Sequence, residues 1–209
     1  MAGTGADLTA SAAGYLIGSV PIGLLAGKAI RGLDVREYGS GNIGTTNVFR
    51  ILGPTAAALT FALDVGKGAG AVLVARRLGA DPTGQAAAGL AAVVGHSWPV
   101  FAKFRGGKGV ATGFGAVLLV SPEATAYAVA GGVSALLLTR IVSVGSLSAA
   151  ISATLGATVQ LIRTSDPVPL AFSALVTALI AYRHADNLKR LIRGQEPRFS
   201  WRKQSDQSA

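Results

Sequence analysis

Apolar runs close to the thickness of a bilayer recur along this chain, and that spacing restricts it to a polytopic helical architecture. The runs cover roughly residues 8–27, 54–75, 84–102, 108–120, 122–139, 143–162 and 167–183. Most approach the ~20 apolar residues that a spanning helix needs. The reading is an all-α polytopic membrane protein with seven transmembrane helices, in one integral membrane domain over residues 1–209. Only 14% of residues are charged and mean hydropathy is +0.49, against roughly 25% charged in a soluble domain. The fourth run is short for a full span and reads as a tilted or partial helix. Ser121-Pro122 breaks it from the fifth, because the residue before proline disfavours the helical region. Asp166 is expected to cap the last helix with Pro167 in its first turn. Small residues throughout suit close packing of membrane helices. No internal repeat is evident, and the polar tail 204–209 is expected to be disordered.

Several function classes are excluded early. There is no cysteine, hence no disulfide framework, iron–sulfur cluster or thiol nucleophile. Two distant histidines without a thiol give no metal site, and no cofactor is implied. Residues 1–7 carry no Lys or Arg, so the first run is expected to be a retained helix, not a signal peptide.

The net charge of +9 matters through its placement. All but four of the 19 lysines and arginines fall in the first, third and fifth connections or near the C-terminus. Arg76, Arg77 and Arg163 lie in even-numbered connections, and Lys67 lies inside the second run. The positive-inside rule then puts the N-terminus outside and the C-terminus in the cytoplasm. Seven crossings satisfy both ends, and so do five if the fourth and fifth runs form one re-entrant unit. Either way the polar, glycine-rich segments face the cytoplasm.

Four of those segments carry chemistry. Gly95–Thr112, GHSWPVFAKFRGGKGVAT, sets Lys103, Arg105, Lys108 and His96 among glycines between apolar runs. Ionisable residues near lipid are costly and mark sites, and glycines beside a lysine leave N–H groups open to an anion. The segment is not a nucleotide P-loop, since Gly109 follows Lys108 and Ala102 stands where the first glycine belongs. His96 alone reads equally well as an interfacial structural residue. Gly39–Arg50, GSGNIGTTNVFR, offers Ser40, Asn42, Thr45, Thr46 and Asn47 as donors, with Arg50 able to grip two oxygens. Its simpler reading is a turn capped by Asn or Thr. Asp64 and Lys67 stand three apart and pair on one helix face. In Tyr182–Glu196, His184 and Asn187 share a face if helical and can orient a hydroxyl. Lys189, Arg190 and Arg193 read as a basic helix on anionic lipid, and Glu196 as a partner for arginines. Arg140 reads as an interfacial anchor, and Ser143 as a weak donor.

Taken in order, GSVPIG (18–23), SGNIGTTNVFR (40–50), DVGKG (64–68), GHSWPVFAKFRGGKGVAT (95–112), RIVSVGS (140–146) and YRHADNLKRLIRGQE (182–196) resemble the bacterial acyl-phosphate:glycerol-3-phosphate acyltransferases over nearly the full length. Thr45 departs from the alanine usual there. The resemblance implies a seven-helix fold with a cytoplasmic site. It implies acyl transfer from acyl phosphate to the 1-hydroxyl of glycerol 3-phosphate, giving lysophosphatidate and phosphate in phospholipid synthesis. A separate peripheral enzyme would supply acyl phosphate by transient contact. Membrane lipid is the surrounding partner, and nucleic acid is not one. The His-x4-Asp motif of other glycerolipid acyltransferases is absent: Phe101 follows His96 at that spacing, and Lys189 follows His184.

The expected roles are these. Ser40, Arg50 and Lys108, with N–H groups near Gly106 and Gly107, hold phosphate. His184 and Asn187 position the hydroxyl, and the base is His184 or a donor phosphate oxygen. Asn42, Thr46, Asn47, Lys67, Gly109, Thr112 and Ser143 complete the substrate site. Asp64, His96 and Glu196 brace it. Two rival readings stay open. A transporter of organic phosphates also uses cations at broken helices. A lipid-binding scaffold would rest on the basic tail alone, and deleting 198–209 is expected to leave catalysis intact.

Overall fold

The computed structural model describes residues 2–199, and the tail 204–209 lies outside them. Ten α-helices fill the described chain: α1 (Ala2–Gly18), α2 (Ile22–Arg31), α3 (Thr45–Leu52), α4 (Pro54–Arg77), α5 (Pro82–Ser97), α6 (Val110–Val120), α7 (Pro122–Thr139), α8 (Val142–Thr164), α9 (Val168–Arg183) and α10 (Ala185–Ile192). Short 3-10 turns occupy Val35–Glu37 and Val100–Ala102. By length and apolarity, Gly5–Arg31, Pro54–Arg77 and Val142–Thr164 suffice to cross a bilayer. The α9–α10 pair, bent by 63°, makes a fourth if counted as one span.

Each of the seven apolar runs holds a helix, with instructive differences. The first is broken at Ser19–Pro21 into α1 and α2, because proline cannot continue the hydrogen-bond ladder. The third ends at Ser97, and an irregular segment begins where 84–102 was expected to be helical. The fourth is the short α6, and the fifth starts at Pro122 as expected, with Ser121 Oγ accepting from Ala124 N–H at 3.0 Å. Asp166 is displaced by one residue: Pro167 is the cap, and the Asp166 carboxylate accepts from Val168 N–H at 3.0 Å. The cap of α3 is Gly44, not an Asn or Thr side chain.

Packing is close and uses small residues. Lipid offers no hydrophobic drive between helices, so van der Waals fit must hold them. α7 lies along α8, α1 along α5 and α4 along α6. The last pair is locked by two glycines. A Cβ on Gly68 would sit 2.0 Å from the Thr112 carbonyl oxygen, and one on Gly115 2.0 Å from that of Val65. Val72, Val93, Ala116, Phe172 and Val176 form the main core between α4, α5, α6 and α9. The polar segments collect where helices stop: at α2–α3, at α5–α6, and at the α9–α10 bend.

Candidate functional site

The α5–α6 connection carries the central cation. After Ala102 the chain takes left-handed backbone at Lys103 (φ 55°) and Phe104 (φ 59°), then buries Gly106, Gly107 and Gly109. The Gly107 N–H donates to the His96 carbonyl at 3.0 Å. A Cβ at Gly107 would lie 2.2 Å from His96 Nε2, so only glycine lets the loop lie on that ring. Gly107's N–H is therefore spent on the protein. Among the described residues, no backbone acceptor takes the N–H of Lys108 or Gly109. Of the two glycine donors the sequence suggested, Gly107 is claimed while the Gly106 N–H has no backbone acceptor among the described residues; the Lys108 and Gly109 N–H groups lie ahead of α6, where the helix dipole favours an anion.

The α9–α10 bend forms the opposite wall. His184 ends α9 and caps α10, and it is 2% exposed. Its Nδ1 lies 2.8 Å from the Ile180 carbonyl; donating there leaves Nε2 with a free lone pair. Asn187 joins the two walls: its Oδ1 accepts from Lys108 Nζ at 2.5 Å, and its Nδ2 donates to Glu196 Oε1. Glu196 also accepts from Ser143 Oγ at 2.7 Å and pairs with Arg190 Nε at 2.7 Å. Arg190 is thus drawn to a carboxylate, where sequence reasoning assigned it to lipid. Residues 79 positions apart meet here with no local sequence signal.

The electrostatics follow from that crowding. Burial, and then Arg190, Arg50 and Arg183, push the Lys108 ammonium down to about 8, against partial support from Glu196. Burial and the Lys108 charge push His184 down to about 4, so its imidazole is neutral near pH 7. Burial raises the Glu196 carboxyl, but hydrogen bonds from Asn187, Ser143 and Arg190 outweigh it and hold the group below its ordinary value.

The third wall is the loop before α3. Asn47, 1% exposed, spends its amide on this loop. Its Oδ1 accepts from Ser40 N–H at 2.8 Å, and its Nδ2 faces the carbonyls of Val35, Tyr38 and Asn42. It shapes the loop from inside, leaving the exposed Ser40 side chain and half-buried Asn42 and Thr46 at the surface. Arg50 lies exposed in the last turn of α3, and its charge reaches Lys108. Arg36 ties this wall to the glycine segment by donating to the Ala102 carbonyl at 2.9 Å. Phe199 closes it, with its N–H on the Arg140 carbonyl at 2.6 Å and its ring 5.3 Å from Phe49. That contact falls inside 198–209, the segment expected to be dispensable.

Lys67 and Thr112 stand elsewhere. Lys67 Nζ is 2.9 Å from Asp64 Oδ1 and 2.9 Å from the Val20 carbonyl, and His96 Nδ1 is 3.5 Å from the same Asp64 oxygen. All three are under 9% exposed, and Thr112 is fully buried against α4. An apolar cavity of about 310 Å³ opens between α4, α6, α7, α8 and α9, lined by Phe61, Val110, Phe114, Val133, Val142 and Ile180 among others. Val142 adjoins Ser143, and Ile180 bonds His184, so this cavity abuts the polar walls. Among the described residues there is no cluster of three metal-binding side chains.

All-helical architecture, apolar spans and a cationic centre built where helices break define an integral membrane protein with a polar centre at its helix breaks. The family model described as glycerol-3-phosphate acyltransferase matches residues 8–194. Glycerol-3-phosphate acyltransferases of Thermoanaerobacter sp. (strain X514) and Prochlorococcus marinus are 44% and 46% identical over 185 residues, covering 88% of this chain and 91% and 90% of theirs. A crystal structure of PlsY, an integral membrane glycerol 3-phosphate acyltransferase, in its glycerol 3-phosphate form aligns with TM-score 0.84 and 41% identity. It covers 93% of this chain and 96% of that one. The lysophosphatidic acid form aligns at 0.82. The chain belongs to the glycerol-3-phosphate acyltransferase family, and it is a membrane acyltransferase.

Proposed function

We propose that this enzyme transfers a fatty acyl group from acyl phosphate to the 1-hydroxyl of glycerol 3-phosphate, the first acylation of bacterial phospholipid synthesis. The observation that carries the reading is the abutment of an apolar cavity on a cationic centre. An acyl chain fits the first and phosphate oxygens the second. Lys108, the N–H groups of Lys108 and Gly109, Ser40 and Arg50 hold phosphate. His184 and Asn187 position the hydroxyl.

The hydroxyl oxygen bonds to the acyl carbon as the bond from that carbon to the bridging phosphate oxygen breaks. Inorganic phosphate leaves, and lysophosphatidate remains. The leaving group is already activated, so the enzyme's work is to position and to stabilise charge. A neutral His184 with a pKa near 4 accepts a hydrogen bond from the hydroxyl but is a weak base. The proton therefore passes to a phosphate oxygen of the donor. Glu196 stays ionised and orients Asn187.

The decisive assay supplies acyl phosphate and glycerol 3-phosphate to purified protein. Phosphate release is expected only with both present, and His184→Gln and Arg50→Ala should each lower turnover strongly. Near-normal turnover in both variants would overturn the assignment.

The proposed topology is a single domain with seven crossings, the N-terminus outside and the site toward the cytoplasm of the inner membrane, open to a peripheral supplier of acyl phosphate. The absence of cysteine makes it testable. A membrane-impermeant maleimide should label Arg163→Cys in intact cells and spare Lys103→Cys.

A further inference from the structure

Arg183 entered the sequence argument only as a topological charge, yet its surroundings are those of a clamp. It is the last residue of α9, next to His184. Its Nε donates to the Gly107 carbonyl at 3.1 Å and its Nη2 to the Gly106 carbonyl at 3.4 Å. The guanidinium carbon lies 5.3 Å from the centroid of the Trp98 ring, which also faces Tyr182 at 6.2 Å. Trp98 is itself anchored, since its carbonyl accepts from Tyr15 Oη at 2.9 Å. The plane of the guanidinium is thus set by an aromatic face, and its fork by two consecutive carbonyls.

The planar trans peptide turns that grip into a direction. A carbonyl and the N–H of the next residue point oppositely across one rigid unit. Holding the Gly106 carbonyl sends the Gly107 N–H the other way, where the His96 carbonyl takes it at 3.0 Å. Holding the Gly107 carbonyl sends the Lys108 N–H away from Arg183, and no backbone acceptor among the described residues takes it. We propose that Arg183 is a positioning residue that aims the Lys108 peptide N–H and ammonium at the phosphate of glycerol 3-phosphate. It acts without touching substrate, through two loop carbonyls and the Trp98 face. The proposal rests on the acyl-transfer reading above, with Lys108 as a phosphate ligand.

Arg183→Lys tests it, because lysine keeps the charge but loses the fork and the flat stacking face. With acyl phosphate saturating, the KM for glycerol 3-phosphate should rise about tenfold or more, while kcat falls less than threefold and the KM for acyl phosphate stays within twofold. Trp98→Phe, which keeps a smaller ring beneath the guanidinium, should give a rise in the same constant of roughly two- to fourfold. Methylguanidinium should partly restore Arg183→Ala, and methylammonium should not. A wild-type KM in Arg183→Lys, or equal rises in both KM values, would overturn the proposal. So would equal rescue by the two cations. If Arg183→Lys does not fold in detergent, an unchanged KM in Trp98→Phe overturns it as well. Wild-type protein inactive with the two substrates would instead refute the acyl-transfer reading, which keeps the two failures apart.

Discussion

Two polar centres lie close together in this protein, and they spend similar side chains differently. Lys108, Asn187, Glu196 and Ser143 form the first, at helix breaks. Lys67, Asp64 and His96 form the second, inside α4 and α5. Both contain a lysine next to a carboxylate-bearing network. In the buried centre, Lys67 pairs with Asp64 and the Val20 carbonyl. In the other, Lys108 is half-buried and bonds a neutral amide, so its charge is not cancelled. The backbone N–H groups beside it are also open. A lysine committed to a carboxylate supports a fold, whereas one held by an amide keeps its charge for a substrate.

Substitution should split the two centres along that line. The largest expected effect is Lys108→Ala, which should lower kcat/KM by roughly 100- to 1000-fold while the melting temperature in detergent hardly moves. Steady-state kinetics and a thermal scan on one preparation read both. Asp64→Asn should do the reverse. It strands a buried ammonium and should cost about 3–5 kcal/mol of stability, with the KM of the surviving enzyme nearly unchanged. Adding Lys67→Met should recover much of that loss; if it does not, the buried pair has a role beyond support.

The next effect is on pH dependence. The Lys108 pKa is lowered to about 8, so the free enzyme loses this cation as pH rises through that value. Above it, kcat/KM for glycerol 3-phosphate should fall roughly tenfold per pH unit. His184, at about 4, is neutral from pH 5 upward and should add no limb between pH 5 and 7. An acid limb with its midpoint between pH 5 and 7 would contradict this assignment of states. The smallest effect is Ser143→Ala, which removes one of three hydrogen bonds on Glu196. About a three- to tenfold loss of kcat is expected, read in the same assay.

Much of the polar inventory was legible before the fold was known. The i,i+3 spacing of Asp64 and Lys67 gave their pairing, whereas the helix face expected to carry His184 and Asn187 is broken: the chain bends by 63° at His184, and Asn187 lies in the first turn of α10. Asn47 shows the limit. Its type suggested a substrate donor, but a loop folded around its side chain uses its amide on Ser40, Val35, Tyr38 and Asn42. The basic cluster of Lys189, Arg190 and Arg193 points Arg190 to lipid, but a carboxylate six residues on claims it. Arg183 carried no local signal, because its two carbonyl partners are 76 and 77 residues away. Pro21 carries the local signal for the break at Ser19–Pro21, inside a run whose hydropathy is otherwise continuous.

What the sequence determined by itself is the helical membrane class and the placement of cations at helix ends. Both follow from local hydropathy and from the cost of charge in hydrocarbon. The family is also written there, in six polar motifs. The tertiary structure decided which donors remain open. A side chain or peptide N–H is available to a ligand only if no protein acceptor has claimed it, and those acceptors come from distant segments. Close approach of α4 to α6, and of the glycine loop to His96, is what claims some groups and leaves Lys108 and its neighbours open.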